Sequence, residues 1–130
     1  MFRKRKLYGT TDGTDGTAGA LTVTDNVLLF GRLQAVHWID GTFADGVDAV
    51  LSMVSDDGAA ADTTLLTLTD ANDDAWYYPQ TPAQDNTGAN VTSDGTNEIY
   101  TQQIVDGRLK LAVTSGGNEK TGGCIVYIES

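Results

Sequence analysis

The chain of 130 residues holds one histidine and one cysteine, and these bound the chemistry available to it. His37 lies between Val36 and Trp38 in an alternating run. A nucleophilic triad would need it as base, and no Gly-x-Ser-x-Gly elbow accompanies it. It reads as a packed or interface side chain. Cys124 can form neither a disulfide within the chain nor a cysteine-based zinc site. Beside Gly123 in an apolar run, its default is a small buried thiol.

The aspartates invite a calcium reading, since hard cations take oxygen ligands. Asp12 to Gly16 (DGTDG) and Asp70 to Asp74 (DANDD) are the densest clusters. Neither has the alternating ligands, glycine and distant glutamate of an EF-hand loop. Turn chemistry accounts for them more simply, because Asp and Asn side chains bond their own backbone. With 18 acids, carboxylate pairs for sugar hydrolysis occur by chance, so composition selects none. Gly107 and Gly116-Gly117 lie outside any phosphate-loop pattern. No catalytic residue, metal ligand or cofactor is assigned, and the chain is expected not to be an enzyme.

Aromatic and basic residues carry more information. Trp76, Tyr77 and Tyr78 are adjacent, and neighbours on a strand point to opposite faces. At least one large ring must therefore face outward, which makes the three candidates for an oligomer interface. Lys and Arg total 8 against 18 acids, for a net charge of −10. Four of the bases, Arg3, Lys4, Arg5 and Lys6, fall within the first six residues; the remaining four against 18 acids leave −14. Such a body repels nucleic-acid phosphates and anionic membranes, so neither is expected as a partner.

The elements that must position these residues are strands. Alternation marks Arg32–Ile39, Val47–Ser55, Thr63–Thr69 and Ala75–Tyr78. Gly107–Glu129 is expected to be a hairpin turning at Ser115–Asn118. Asp-Gly occurs seven times, a dipeptide suited to tight turns. No segment sustains a helical apolar period; one short helical turn is expected near Thr92–Tyr100. About seven to nine short strands predict an all-β single domain, a β-sandwich or barrel with a jelly-roll-like arrangement among the alternatives. The polar, glycine-rich residues 1–20 are expected to form a flexible N-terminal arm, and residues 21–130 the β-sandwich domain. The basic start lacks the apolar segment of a secretory signal, and no run reaches membrane-spanning length.

From Leu65 to Gln80 (LLTLTDANDDAWYYPQ), through Thr92–Gly95 (TSDG) to Val105–Ile128, the chain resembles small structural proteins of tailed bacteriophages. These are encoded among head genes and read as capsid decoration, or cement, proteins. The resemblance covers residues 32–129. It implies a mainly β subunit, commonly a homotrimer, on the virion exterior, made in the host cytoplasm and tying major capsid proteins together.

On this reading Phe2, Arg3, Lys4, Arg5, Lys6 and Leu7 are the capsid-contact candidates. The bases supply charge, while Phe2 and Leu7 supply the apolar grip. Residues 1–20 should order only when bound, and deleting residues 1–7 should leave thermal unfolding nearly unchanged. The alternatives are a head–tail or tail structural subunit, and a carbohydrate-binding β-sandwich adhesion module in which Trp38, Trp76 and the tyrosines stack on sugars.

Overall fold

The structure is a computed structural model that describes residues 1–13, 18–55 and 61–130. Among the described residues there are ten strands and no helix. They are β1 (Phe2–Thr10), β2 (Leu21–Thr24), β3 (Leu29–Ile39), β4 (Asp48–Val54) and β5 (Thr63–Leu68). Then follow β6 (Ala75–Tyr77), β7 (Gln80–Pro82), β8 (Tyr100–Gln102), β9 (Ile104–Thr114) and β10 (Thr121–Glu129).

Every pairing is antiparallel. One layer runs β1-β10-β3, with β6 on the far edge of β3; the other runs β2-β9-β4-β5. The two long central strands join the layers at a corner, where Leu29–Arg32 of β3 pair with Ile104–Gly107 of β9. Beyond it β9 passes to β2 and β4, while β3 takes β10 and β6 as neighbours. Gly107 sits at this crossing with φ 135°, where a side chain would collide with the Val54 carbonyl. The expectation of an all-β sandwich is met.

The core lies between the layers. From one side come Leu7, Leu33, Val36, Trp38, Cys124, Val126 and Ile128; from the other Leu51, Leu65, Leu109, Leu111 and Val113, all buried. Trp38 is 1 % exposed, donates its indole N–H to the Ala71 carbonyl at 2.9 Å and stacks on Phe43. A buried indole without that acceptor would cost the desolvation of its N–H.

Three expectations are corrected. Residues 107–129 do not form a hairpin: β9 and β10 share no ladder and lie in opposite layers. Leu109, Leu111 and Val113 face Cys124, Val126 and Ile128 across the core, which strands lying side by side could not do. The connecting arch is held by Thr11, 3 % exposed, whose hydroxyl donates to the Gly117 carbonyl and accepts from the Lys120 amide.

The flexible arm expected over residues 1–20 is, over Phe2–Thr10, strand β1, paired with β10 through nine residues. Its division from the domain at residue 21 does not hold, because Leu7 is fully buried in the common core. Part of the glycine-rich stretch, residues 14–17, lies outside the described residues. The helical turn expected near Thr92–Tyr100 is also absent. There, two successive short loops close on the bridges Gln84–Asn90 and Thr92–Glu98.

Candidate functional site

The outer face of the first layer gathers part of the aromatic and basic set that the sequence singled out: Lys4, Lys6, His37 and Trp76. Cross-strand register sets them in rows, because paired residues stand on the same face. One row is Lys6–Ile125–His37–Trp76, running across β1, β10, β3 and β6. A second is Lys4–Tyr127–Ala35, and a third Tyr8–Gly123–Ile39. None of these residues is acidic, on a chain of net charge −10.

The rings in these rows touch. Trp76 lies parallel to His37, with centroids 4.2 Å apart and planes within 5°, and Tyr127 leans on Trp76 at 5.3 Å. Lys6 Nζ stands 4.5 Å from the centre of the Tyr8 ring, a cation–π contact. The histidine therefore serves as one side of an aromatic stack.

The expected interface residues divide by the strand period. Trp76 is 48 % and Tyr78 67 % exposed, whereas Tyr77 turns inward beside Val36 and packs on the core. The basic candidates divide likewise. Phe2, Arg3, Lys4 and Lys6 are exposed. Leu7 is fully buried, so it cannot grip another protein without unfolding its own. Arg5 is engaged by Asp25, with Nε–Oδ2 at 2.6 Å and Nη2–Oδ1 at 2.8 Å. That bidentate bond, ahead of the opposing cost of burial, holds the Asp25 carboxyl below its ordinary value.

A second surface lies at the corner where β3 meets β9. Phe30, Gly31, Arg32, Ile104, Glu129 and Ser130 line a hollow of about 380 Å³. Phe30 is 72 % and Ile104 53 % exposed, and Phe2, at 71 %, pairs with Glu129 on the rim. Sequence reasoning missed this site. Phe30 and Ile104 lie just outside the stretches marked from sequence as Arg32–Ile39 and Gly107–Glu129.

From the same corner residues 80–102 form an outlying ribbon. Strands β7 and β8 make its base. Above them three backbone bonds close a triangle: Ala83 N–H to the Ile99 carbonyl, Ile99 N–H to Val91, and Val91 N–H to Ala83. Asp85 accepts from the Thr87 hydroxyl and from the amides of Thr87 and Ala89; Asp94 accepts from the amides of Thr96 and Asn97. These bonds lower both carboxyl pKa values.

The remaining candidates are structural. Burial pushes the Cys124 thiol up to about 12, leaving it a poor nucleophile. In the DANDD cluster Asp74 Oδ1 accepts from the Asp40 amide and Asn72 Oδ1 from the Gly46 amide, so these side chains tie the cluster to a distant loop and do not bond their own turn. Among the described residues no group of three or more His, Cys, Asp or Glu is placed to hold a metal ion. The other calcium candidate, Asp12 to Gly16, falls partly outside the described residues. Asp40 Oδ1 is buried without a partner, and desolvation first, then the charges of Asp74, Asp45 and Asp73, raise its pKa.

No protein-family model, curated protein or solved structure matches this chain.

Proposed function

We propose that the protein is a structural subunit of a tailed-bacteriophage virion, a decoration or cement protein that binds the outer capsid surface as a homotrimer. The observation that carries the reading is the apolar corner. Phe2, Phe30 and Ile104 stand exposed around one hollow on a strongly acidic chain. Contiguous exposed apolar surface is what a protein–protein contact uses, and a charged exterior keeps the particle dispersed. The resemblance of residues 32–129 to head proteins supplies the partner, the major capsid protein. A subunit that binds the assembled lattice and not its parts shifts the equilibrium towards the shell by mass action.

Of the capsid-contact candidates on β1, Phe2 and Arg3 adjoin this corner; Arg5 and Leu7 are spent on the fold. The test is co-sedimentation with phage heads stripped of decoration. Saturation at a fixed copy number is expected, together with loss of binding in Phe30→Asp/Ile104→Asp at an unchanged unfolding midpoint. Intact protein that stays in the supernatant at every concentration would overturn the reading. Labelling at the neck or tail of whole virions would move the subunit there.

The Trp76–His37–Tyr127 stack favours a second reading, a carbohydrate-binding adhesion module, since an exposed indole is a platform for a sugar ring. Glycan titration followed by tryptophan fluorescence, with Trp76→Ala as control, tests it.

A further inference from the structure

The outer layer ends in two different edges. Among the described residues, β1 and β6 each pair with one strand only, β10 and β3 respectively. An edge strand presents unpaired N–H and C=O groups and is a template for another chain. The β1 edge carries Lys4 and Lys6. At the other edge Asp73 and Asp74 lead into Trp76, with Asp40 and Asp45 close by.

We propose that β1 of one copy pairs with β6 of the next, closing identical subunits head to tail into a ring. This deepens the decoration reading, from which the number three is taken. The contact itself rests on three independent features of the strands.

The first is direction. Since β1, β10, β3 and β6 alternate, β1 and β6 are antiparallel. Rotation about an axis along the strands preserves direction, so β6 meets the next β1 in antiparallel order and the sheet continues. The second is height. A closed ring allows no translation along its axis, so residues on one level meet. The row Lys6–Ile125–His37–Trp76 sets Lys6 opposite the next copy's Trp76. Tyr78, one residue beyond the Val36–Tyr77 pair, comes to the level of Ala35 and hence of Lys4.

The third is hydrogen-bond phase. Met1 and Ser130 exchange backbone bonds, each at 2.9 Å. Antiparallel ladders alternate, so Arg3, Arg5 and Leu7 point their backbone groups at β10, and Phe2, Lys4, Lys6 and Tyr8 point theirs outward. Carried through β10 and β3, the same alternation turns Val36 and Trp38 towards β6. The backbone groups of Trp76 and Tyr78 are left on the far edge. The residues on one level are thus the residues able to hydrogen-bond, and each pair sets an ammonium beside an aromatic ring.

Charge selects this contact over its competitor. Two β1 edges would set Lys4 and Lys6 against their own copies, and like charges directly opposite are destabilising. The unlike edges attract.

Cross-linking of the full chain tests the contact. Lys6→Cys and Trp76→Cys change exposed side chains, and buried Cys124 does not compete for reagent. With a short bifunctional maleimide, a mixture of the two single variants should give a covalent dimer. The double variant should give a ladder ending at the ring size, and each single variant should stay one chain. Lys4→Cys with Tyr78→Cys should behave alike. Self-cross-linking of a single variant as strongly as the mixture, or no cross-link from either folded pair, would overturn the proposal. Co-sedimentation with heads separates the two readings. Monomers that still decorate heads would remove the ring and leave decoration standing; rings that ignore heads would do the reverse.

Discussion

At the scale of single residues, carboxylates with opposite environments make the pH dependence specific. Asp25 is held down chiefly by Arg5, so its bond stabilises the fold above the ordinary carboxylate value of 3.8 and is lost as pH falls through the depressed folded value. Asp25→Asn should therefore cost about 0.5–1 kcal/mol at neutral pH, discounted for the part-exposed guanidinium, and next to nothing in strong acid. Asp40 has the opposite sign. Its folded pKa is raised by burial and by neighbouring acids, so its charge destabilises the fold at neutral pH and the penalty lifts as pH falls through the raised value. Asp40→Asn should gain up to about 1 kcal/mol at pH 7, with the gain vanishing below 3.8. Urea denaturation of both variants across pH checks the pair. Asp25→Asn losing more in acid than at pH 7 would refute the assignment.

At the scale of elements, β1 and the outlying ribbon should respond in opposite ways. Leu7 is fully buried, so Leu7→Ala should cost about 2–5 kcal/mol. Removing residues 1–7, expected from sequence to be harmless, should lower the thermal midpoint by more than that single change. It exposes the β10 edge and strands Asp25 without Arg5. The ribbon adds almost nothing to the core. Replacing residues 84–98 by a short Gly/Asn turn should stay within about 0.5–1 kcal/mol of the intact protein, because the backbone triangle and Asx loops satisfy only one another. Thermal melts followed by circular dichroism decide both. A ribbon deletion that unfolds the protein would show that residues 84–98 brace the corner.

For the whole molecule, the net charge of −10 and the basic edge act against each other. Copies repel at long range, yet the proposed contact between β1 and β6 would join unlike edges. Raising salt screens both, over about 10 Å at 0.1 M. The proposed edge contact would also hold backbone bonds and the burial of ring faces under lysine stems, which screening leaves intact. Sedimentation velocity across a salt series should show association of the intact chain weakening modestly and not vanishing. Lys4→Glu/Lys6→Glu should remain monomeric throughout. A variant that associates like the intact chain would place the contact elsewhere.

Period-2 alternation was enough to determine an all-β fold, the approximate places of the strands between Arg32 and Tyr78, and the outward turn of at least one ring among Trp76, Tyr77 and Tyr78. Side-chain direction follows residue by residue from the backbone pleat, so it is local and legible. Which strand lies beside which was not. Ladder bonds join backbone groups that every residue carries, so Gly107–Glu129 read as a hairpin although its halves face each other across the core. In β1 the run of four charges hid Leu7, the single apolar residue that ties the strand down. The aromatic and basic face was equally out of reach. Lys6, Ile125, His37 and Trp76 come from four distant segments, and only their register across four strands brings them into one row.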